Sequence, residues 1–543
     1  MRNGVAYLSR NIKLDKNYKS VLGYTEQQML NLMTSQANLV YSTNTLSFTR
    51  EDGEIILDVP YSEAIKANYL AFQNPDYSNK WFFAFIDDVI YTGERQSKIK
   101  YTIDLFTTWW SYWSPKACFV IREHVLSDGI GEHTVPENLE TGDYLTVDME
   151  KLEYNELDGH EFYPCVGISE DILLPNDTPN KLYNGIVSGL TYVVPKTYLD
   201  LTRLLTRYNT QGKIDAIYTI FMIPASYVTL TSSITWRQDA TGLINFAYIP
   251  SGSSAYFLGT FGTARPTRIG TGDVGYLPKN NKLFTYPYIF IQADNNCGVN
   301  VIYKYEYFAN PLNIEFEVLG SISAGCNIKC VPKYYKELEY NYNESFNCAK
   351  FPIGSWINDV YTNWLTQNGV NIGISFLSNM VQIAGGALMA SSGAGALTGA
   401  SQITSGALGM AQTVGSIYQH NMIPNQAEGN INSSDVMFSA NMISPVLYRM
   451  TIKEEFARII DDYWTRQGYL VNRVKVPNMG HRQNFNFIQI ASEDNLCYPN
   501  NHDGIMIPAS ALDFINGLFR NGVTIWNNHE NFGDYSVSNN IVE

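Results

Sequence analysis

The chain has 543 residues, carries a formal net charge of −15 and is only 16% charged. No basic run offsets that balance, so a nucleic-acid groove led by a global positive field is excluded; a neutral or acidic channel would still let DNA slide without holding its phosphates. The seven cysteines are scattered and odd in number, which argues against a disulfide framework and for the reduced thiols of a protein made in a cytoplasm.

The length allows two to four domains. Hydrophobic residues make up 45% of the chain, with 38 Tyr, 26 Phe and 9 Trp. Real cores are expected, and the aromatic and β-branched bias favours a mainly β, β-rich α+β fold. The opening residues Met1 to Tyr18 contain no apolar run of signal-peptide type, so no secretory signal is expected.

Residues 1 to about 150 read as β-rich. A strand begins at Val5. Thr25 is placed to cap a short helix running through Met29 and Leu30. A second short helix, Ser62 to Ala67, follows Pro60. Two strands, Trp81 to Ile86 and Ile99 to Leu105, are joined as a hairpin through Thr92 to Arg95. Trp109, Trp110 and Trp113 then cluster. A strand, Cys118 to Val125, leads into Asp128, Glu132, His133, Glu137 and Glu140. This is the densest chemical cluster of the chain. His124 and His133 with Glu137 are weighed as metal ligands, but neither HExxH nor a paired-cysteine spacing is present. The reading taken is a polar turn stitched by hydrogen bonds, with no metal and no cofactor.

Residues 150 to about 265 carry a clean buried strand, Ile217 to Pro224, amid turns such as Pro175 to Pro179. Further on, Tyr276 to Tyr288 is followed by strands at Ile289 to Gln292, Val301 to Phe308 and Ile314 to Val318. Lys279 and Lys282 among asparagines are weighed between phosphate contact and a solvated turn; the turn is the reading taken. Cys326 and Cys330 have no second Cys/His pair at zinc-finger spacing, so no zinc is expected.

From Val360 to Ala427 the chain contains no Asp, Glu, Lys or Arg. The overall charge content would place about eleven there. Within it, Ile372 to Ile417 is a Gly/Ala/Ser matrix. The side chains that would meet an apolar surroundings are Ile372, Ile374, Phe376, Leu377, Met380, Val381, Ile383, Leu388, Met389, Leu397, Ile403, Leu408, Met410, Val414 and Ile417. Ala387, Ser391, Gly395 and Gly399 recur at intervals of four, a small-residue stripe that would let two helices approach closely. The length suits two crossings of roughly 20 residues each. Ser375, Ser378, Asn379, Gln382, Gln402 and Gln412 dilute the hydropathy, so the segment is no constitutive anchor. A conditional membrane segment stands beside a buried or lumen-lining helical hairpin and a flexible low-complexity loop.

The last part returns to ordinary patterning. Ile452, Phe456, Ile459 and Ile460 mark one face of a helix that Gly468 is placed to stop. Asp461 and Asp462 are adjacent and so do not face each other; a solvated helix edge is expected. Strands Tyr469 to Val476 and Asn484 to Ile490, a helix near Ala509 to Phe519 and a strand Gly522 to Trp526 complete the pattern.

Five blocks carry a family pattern: Asn68 to Gln73 with Trp81 to Ile86; Cys118 to Val125 with His133 to Gly142; Pro278 to Tyr288; Asp461 to Tyr463 through Gly468 to Val474; and Asn521 to Trp526. The chain resembles the tail knob, or distal tail tube, proteins of φ29-like short-tailed phages. The blocks span nearly the whole length, and 150–265 matches least. The resemblance implies a multi-domain, tube-forming subunit with strands lining a hexameric channel. It implies a β-rich tube domain at 1–150, a second tube part at 266–365, a membrane-active loop or plug at 366–430, and an α+β part at 431–543 completing the tube; 151–265 reads from its own turn-rich pattern as an inserted β or α+β domain. The resemblance also implies a homo-hexamer that joins upstream tail tube or connector proteins at the distal end of the virion. Its loops would plug the tube, then penetrate the host cytoplasmic membrane so that viral DNA passes without sequence-specific binding. A receptor-binding or adhesin-like β protein with the Gly/Ala/Ser segment as linker is the alternative. A hydrolase lacks any G-x-S-x-G, HExxH or Cys/His signature, so no enzyme is expected.

Overall fold

Alternate residues of the strand Tyr69–Asn74 feed two different cores, and the fold of one unit is built around that strand. The computed structural model describes residues 4–46, 53–350 and 445–542, apart from 76, 153–156, 161, 178, 180, 184–185, 188, 226–227, 229–234, 251–255, 271–273, 296–297, 321–326 and 503. The chain divides into two compact units, one of residues 1–142, 276–285 and 454–543, the other of residues 143–275 and 286–453.

In the first unit a six-stranded antiparallel sheet runs in the order Leu39–Leu46, Gly4–Ser9, Tyr69–Asn74, Lys80–Gly93, Gln96–Ile103, Glu54–Leu57. The register sets Leu8 opposite Leu70 and Phe72 opposite Phe82. Because strand side chains alternate between faces, Ala6, Leu8, Leu70, Phe72, Ala84 and Ile99 pack on one side. Tyr69, Ala71, Phe83 and Phe85 pack on the other, against Met29 and Met33 of the helix Glu26–Thr34. That helix starts where Thr25 closes a capping box with Gln28. The hairpin Lys80–Gly93 to Gln96–Ile103 forms as the alternation predicts. Its second strand ends at Ile103, two residues short of the predicted Leu105. Asp104 there accepts the Thr107 N–H at 3.1 Å and starts the helix Leu105–Trp109.

The same unit holds a second sheet, in the order Ser20–Leu22, Val523–Trp526, Phe485–Ile490, Cys118–Glu123, Tyr469–Lys475. Ser20–Leu22 and Val523–Trp526 are parallel neighbours, and Phe485 and Trp526 join the core of Tyr69 and Phe83. The helix Ala509–Asn521 buries Ala511, Ile515 and Phe519.

The second unit is also mainly β. One sheet runs Tyr144–Lys151, Val446–Ile452, Ile289–Asp294, Asn300–Tyr303. A second runs Ile217–Pro224, Phe162–Ile168, Thr191–Pro195, Asn245–Tyr248, Arg237–Gln238. On it the helix Tyr198–Thr210, capped by Thr197, places Leu201, Leu204 and Tyr208 against Val166, Ile168 and Phe246. A third joins Tyr256–Thr263, Ile314–Gly320 and Asn327–Tyr335, with Leu338–Tyr340 and Phe346–Lys350 both paired to the last. The predicted strand Val301 to Phe308 is shorter than expected. It covers Asn300–Tyr303 and gives way to a 3₁₀ turn, Tyr305–Tyr307, which buries Tyr305.

Candidate functional site

Three of the blocks singled out in the sequence meet in the first unit. Glu137 is the centre of the first meeting. Its carboxylate pairs with the Arg122 guanidinium and accepts from Lys282 Nζ at 2.6 Å and from the Leu470 N–H at 3.1 Å. Lys282 also donates to the Val135 carbonyl at 2.9 Å and lies 5.5 Å from the Trp464 ring centre. Arg122 donates to the Gly468 carbonyl at 2.7 Å. Burial alone would raise Glu137, but the positive charges of Lys282 and Arg122 hold it below the usual carboxylate range. Burial pulls the Lys282 ammonium below its ordinary value, against the pull of Glu137. The solvated turn expected at Lys282 is therefore corrected: the residue is 4% exposed. Burial of an ammonium is tolerable here because a carboxylate and a carbonyl meet it. Lys279, three residues earlier, keeps an exposed side chain.

Asp461 is the second centre, and it too departs from expectation. It is fully buried instead of forming a solvated edge. Its carboxylate accepts from the Tyr276 hydroxyl (2.6 Å), the N–H groups of Lys279 (2.7 Å) and Asn280 (3.0 Å), and Asn280 Nδ2 (2.7 Å). The helix Glu454–Gln467 buries Ala457, Ile460, Asp461 and Trp464, while Ile459 is exposed and Ile452 belongs to the preceding strand. The apolar face read from Ile452, Phe456, Ile459 and Ile460 is thus rotated. Asp461 sits four residues after Ala457 and three before Trp464, so helical spacing alone would have placed it on the buried stripe. Gly468 ends the helix at φ +65°, its N–H bonded to Trp464 O at 2.8 Å. A Cβ there would lie 2.1 Å from Glu123 O, so only glycine fits.

His124 and His133 are each engaged within the chain. His124 Nδ1 accepts the Phe487 N–H at 2.7 Å, which leaves Nε2–H to donate to Thr465 O at 2.9 Å. Burial pushes its pKa down to about 4, against the Thr465 carbonyl and with help from the Arg482 charge. His133 Nε2 lies 2.6 Å from Ser127 O. Each imidazole thus bonds within the chain, and Glu137 pairs with two cations. Cys326 lies outside the described residues; Cys330 is buried on the strand Asn327–Tyr335.

The charge-free span, including the apolar side chains from Ile372 to Ile417 and the Ala387/Ser391/Gly395/Gly399 stripe, lies outside the described residues. Its flanks are described. The chain leaves the strand Phe346–Lys350 and returns in the strand Val446–Ile452, both parts of the second unit. Among the described residues no helix is long and apolar enough to cross a membrane.

The sequence reading missed Arg482 and the segment Ser536–Asn540. They border a cavity of about 380 Å³ together with His124, Asp128 and Lys279. Their partners are mostly backbone carbonyls and N–H groups, which no side-chain pattern announces.

Comparison with known proteins gives the following. A family profile described as Bacillus phage phi29 tail knob protein gp9, C-terminal domain, matches residues 254–540. A second, described as caudoviral major tail protein N-terminus, matches residues 3–113, the span of the six-stranded sheet. The tail knob protein gp9 of Bacillus phage phi29 is 24% identical over 605 aligned residues, covering 98% of this chain and 97% of the relative. Its counterpart in Bacillus phage B103 is 23% identical with the same coverage. The solved structure of the bacteriophage C1 tail knob protein, gp12, is similar with a TM-score of 0.62 at 12% identity, over 99% of this chain and 100% of that one.

Proposed function

The chain belongs to the tail knob protein family of φ29-like phages, and from that membership we propose that it forms a six-membered distal tube whose charge-free loops plug the end and, on release, penetrate the host cytoplasmic membrane. It is a structural component of the virion tail and not an enzyme.

The observation that carries the finer reading is the span Val360 to Ala427. A segment without one carboxylate, ammonium or guanidinium has nothing to hold it in water. Its serines, asparagines and glutamines also stop it from inserting spontaneously. Both properties suit storage beside symmetry mates followed by release, with the polar side chains lining a pore. In this reading 366–430 is the loop, 1–150, 266–365 and 431–543 build the tube wall, and 151–265 is an inserted domain. The tube joins upstream tail proteins, and viral DNA passes through it without base-specific contact.

The test is removal of Ile372 to Ile417. The ring should still assemble, because the strands flanking the segment lie outside it. Dye release from anionic liposomes and DNA delivery by particles carrying the variant should be lost. Release and delivery equal to the parent would show that the loop is not the penetrating element.

A further inference from the structure

The cavity of about 380 Å³ in the first unit is unequal in charge. Its cations are Lys279 and Arg482; its carboxylate is Asp128. Asp128 is already committed: one oxygen accepts from the Tyr469 hydroxyl at 2.5 Å, the other from the Asn281 N–H at 3.0 Å. Arg482 donates to backbone carbonyls. Nε and Nη2 donate to Val125 O at 3.1 and 2.6 Å, and Nη1 to Asn539 O at 3.2 Å. Three of its five N–H groups are thereby used. Among the described residues, no carboxylate comes within 4.0 Å of it to form an ion pair.

The Asp128 charge favours the guanidinium without an ion-pair contact, and two of its N–H groups remain beyond the carbonyls it meets. Lys279 borders the same cavity, and its exposed ammonium has a loose contact, 3.8 Å from Asp462. Such a contact holds a side chain weakly. Ser538 and Asn540 border the cavity as well.

We propose that this cavity binds a small organic phosphate. Its phosphoryl group lies between Arg482 and Lys279, and its uncharged polyol or sugar part lies along Ser538 and Asn540. Two cations against one carboxylate leave the lining net positive, which suits an anion, and guanidinium is the side chain best shaped to donate two parallel bonds to a phosphate. The volume falls in the range of small-molecule sites and leaves room for more than the anion. The site is independent of the loop, so its assay reads nothing of membrane penetration.

The experiment is calorimetric titration of the full-length protein with glycerol 3-phosphate, inorganic phosphate and glycerol, each at millimolar concentration. Glycerol 3-phosphate is expected to bind, and glycerol is not. Lys279→Met, an exposed position that leaves the backbone bonds to Asp461 intact, should weaken binding about tenfold. Arg482→Gln should abolish it, with circular dichroism checking that the variant is folded. Unchanged affinity in a folded Lys279→Met protein, or silence with both phosphates, would overturn the site. Equal binding of inorganic phosphate and glycerol 3-phosphate would overturn the organic half of the proposal.

Discussion

Glu137 serves two cations and a backbone amide in a space almost closed to water. Replacing one partner of such a group leaves uncompensated charge behind, at a cost of about 3–5 kcal/mol. Glu137→Gln is therefore expected to lower stability by that amount in denaturant unfolding. Lys279→Met, at an exposed and loosely paired ammonium, should stay within about 0.5 kcal/mol of the parent. His124 supplies a pH dependence with a definite sign. Its pKa falls from 6.5 to about 4 on folding. The unfolded chain then takes up a proton that the folded chain refuses. Stability from this residue is complete above pH 6.5 and is lost as pH falls toward 4, by about 3 kcal/mol. The thermal midpoint should drop across that window. His124→Asn keeps an acceptor for the Phe487 N–H but has no proton to gain, so it should flatten the slope. Identical slopes in parent and variant would contradict the assignment. If Ile372 to Ile417 enters a bilayer as proposed, Leu388→Asp would set a carboxylate against lipid at a cost of roughly 2.5–3.5 kcal/mol per copy. Liposome dye release should fall sharply while assembly changes little.

Elements held together by local rules were legible in the sequence. Thr25 announces its helix by a hydroxyl that accepts from the Gln28 N–H, three residues on. Ile217–Pro224 is bounded as read, because a proline that cannot donate closes an apolar run. Gly468 stops its helix because only glycine clears Glu123. What stayed hidden depends on backbone groups far along the chain. Asp461 looks like a surface carboxylate until the N–H groups of Lys279 and Asn280 are brought to it. Lys282 looks solvated until Glu137 and the Val135 carbonyl meet its ammonium. The lack of charge from Val360 to Ala427 is conspicuous in sequence, while the structure of that span lies outside the described residues. This node makes a test at the element scale. Asp461→Ala would strip the acceptor from four donors, so the segment Tyr276–Thr285 should lose its attachment to the helix Glu454–Gln467. Faster amide exchange at Lys279 and Asn280, with Thr34 and its helix unchanged, is the expected signature; unchanged exchange at those two amides would refute it.

For the whole molecule, the six-stranded sheet has Leu39–Leu46 and Glu54–Leu57 at its margins, each paired on one side only among the described residues. Unpaired margins invite further strands, and a closed ring of copies would leave fewer of them open. Six copies of the 61.3 kDa chain give a particle of about 370 kDa, which light scattering should report. A stable monomer at micromolar concentration would defeat the ring. The pairing of Ser20–Leu22 with Val523–Trp526 also has a temporal side. A ribosome delivers those strands about 500 residues apart, at roughly 5–20 residues per second. The second unit has all its described strands once Ile452 has emerged. One face of the six-stranded sheet can close early on Leu8, Leu70 and Phe72. The other, with Tyr69, Phe83 and Phe85, must wait wet for Phe485 and Trp526. For tens of seconds, at that synthesis rate, each nascent subunit carries an unfinished aromatic face. That interval, rather than the finished fold, is when chaperones have most to do.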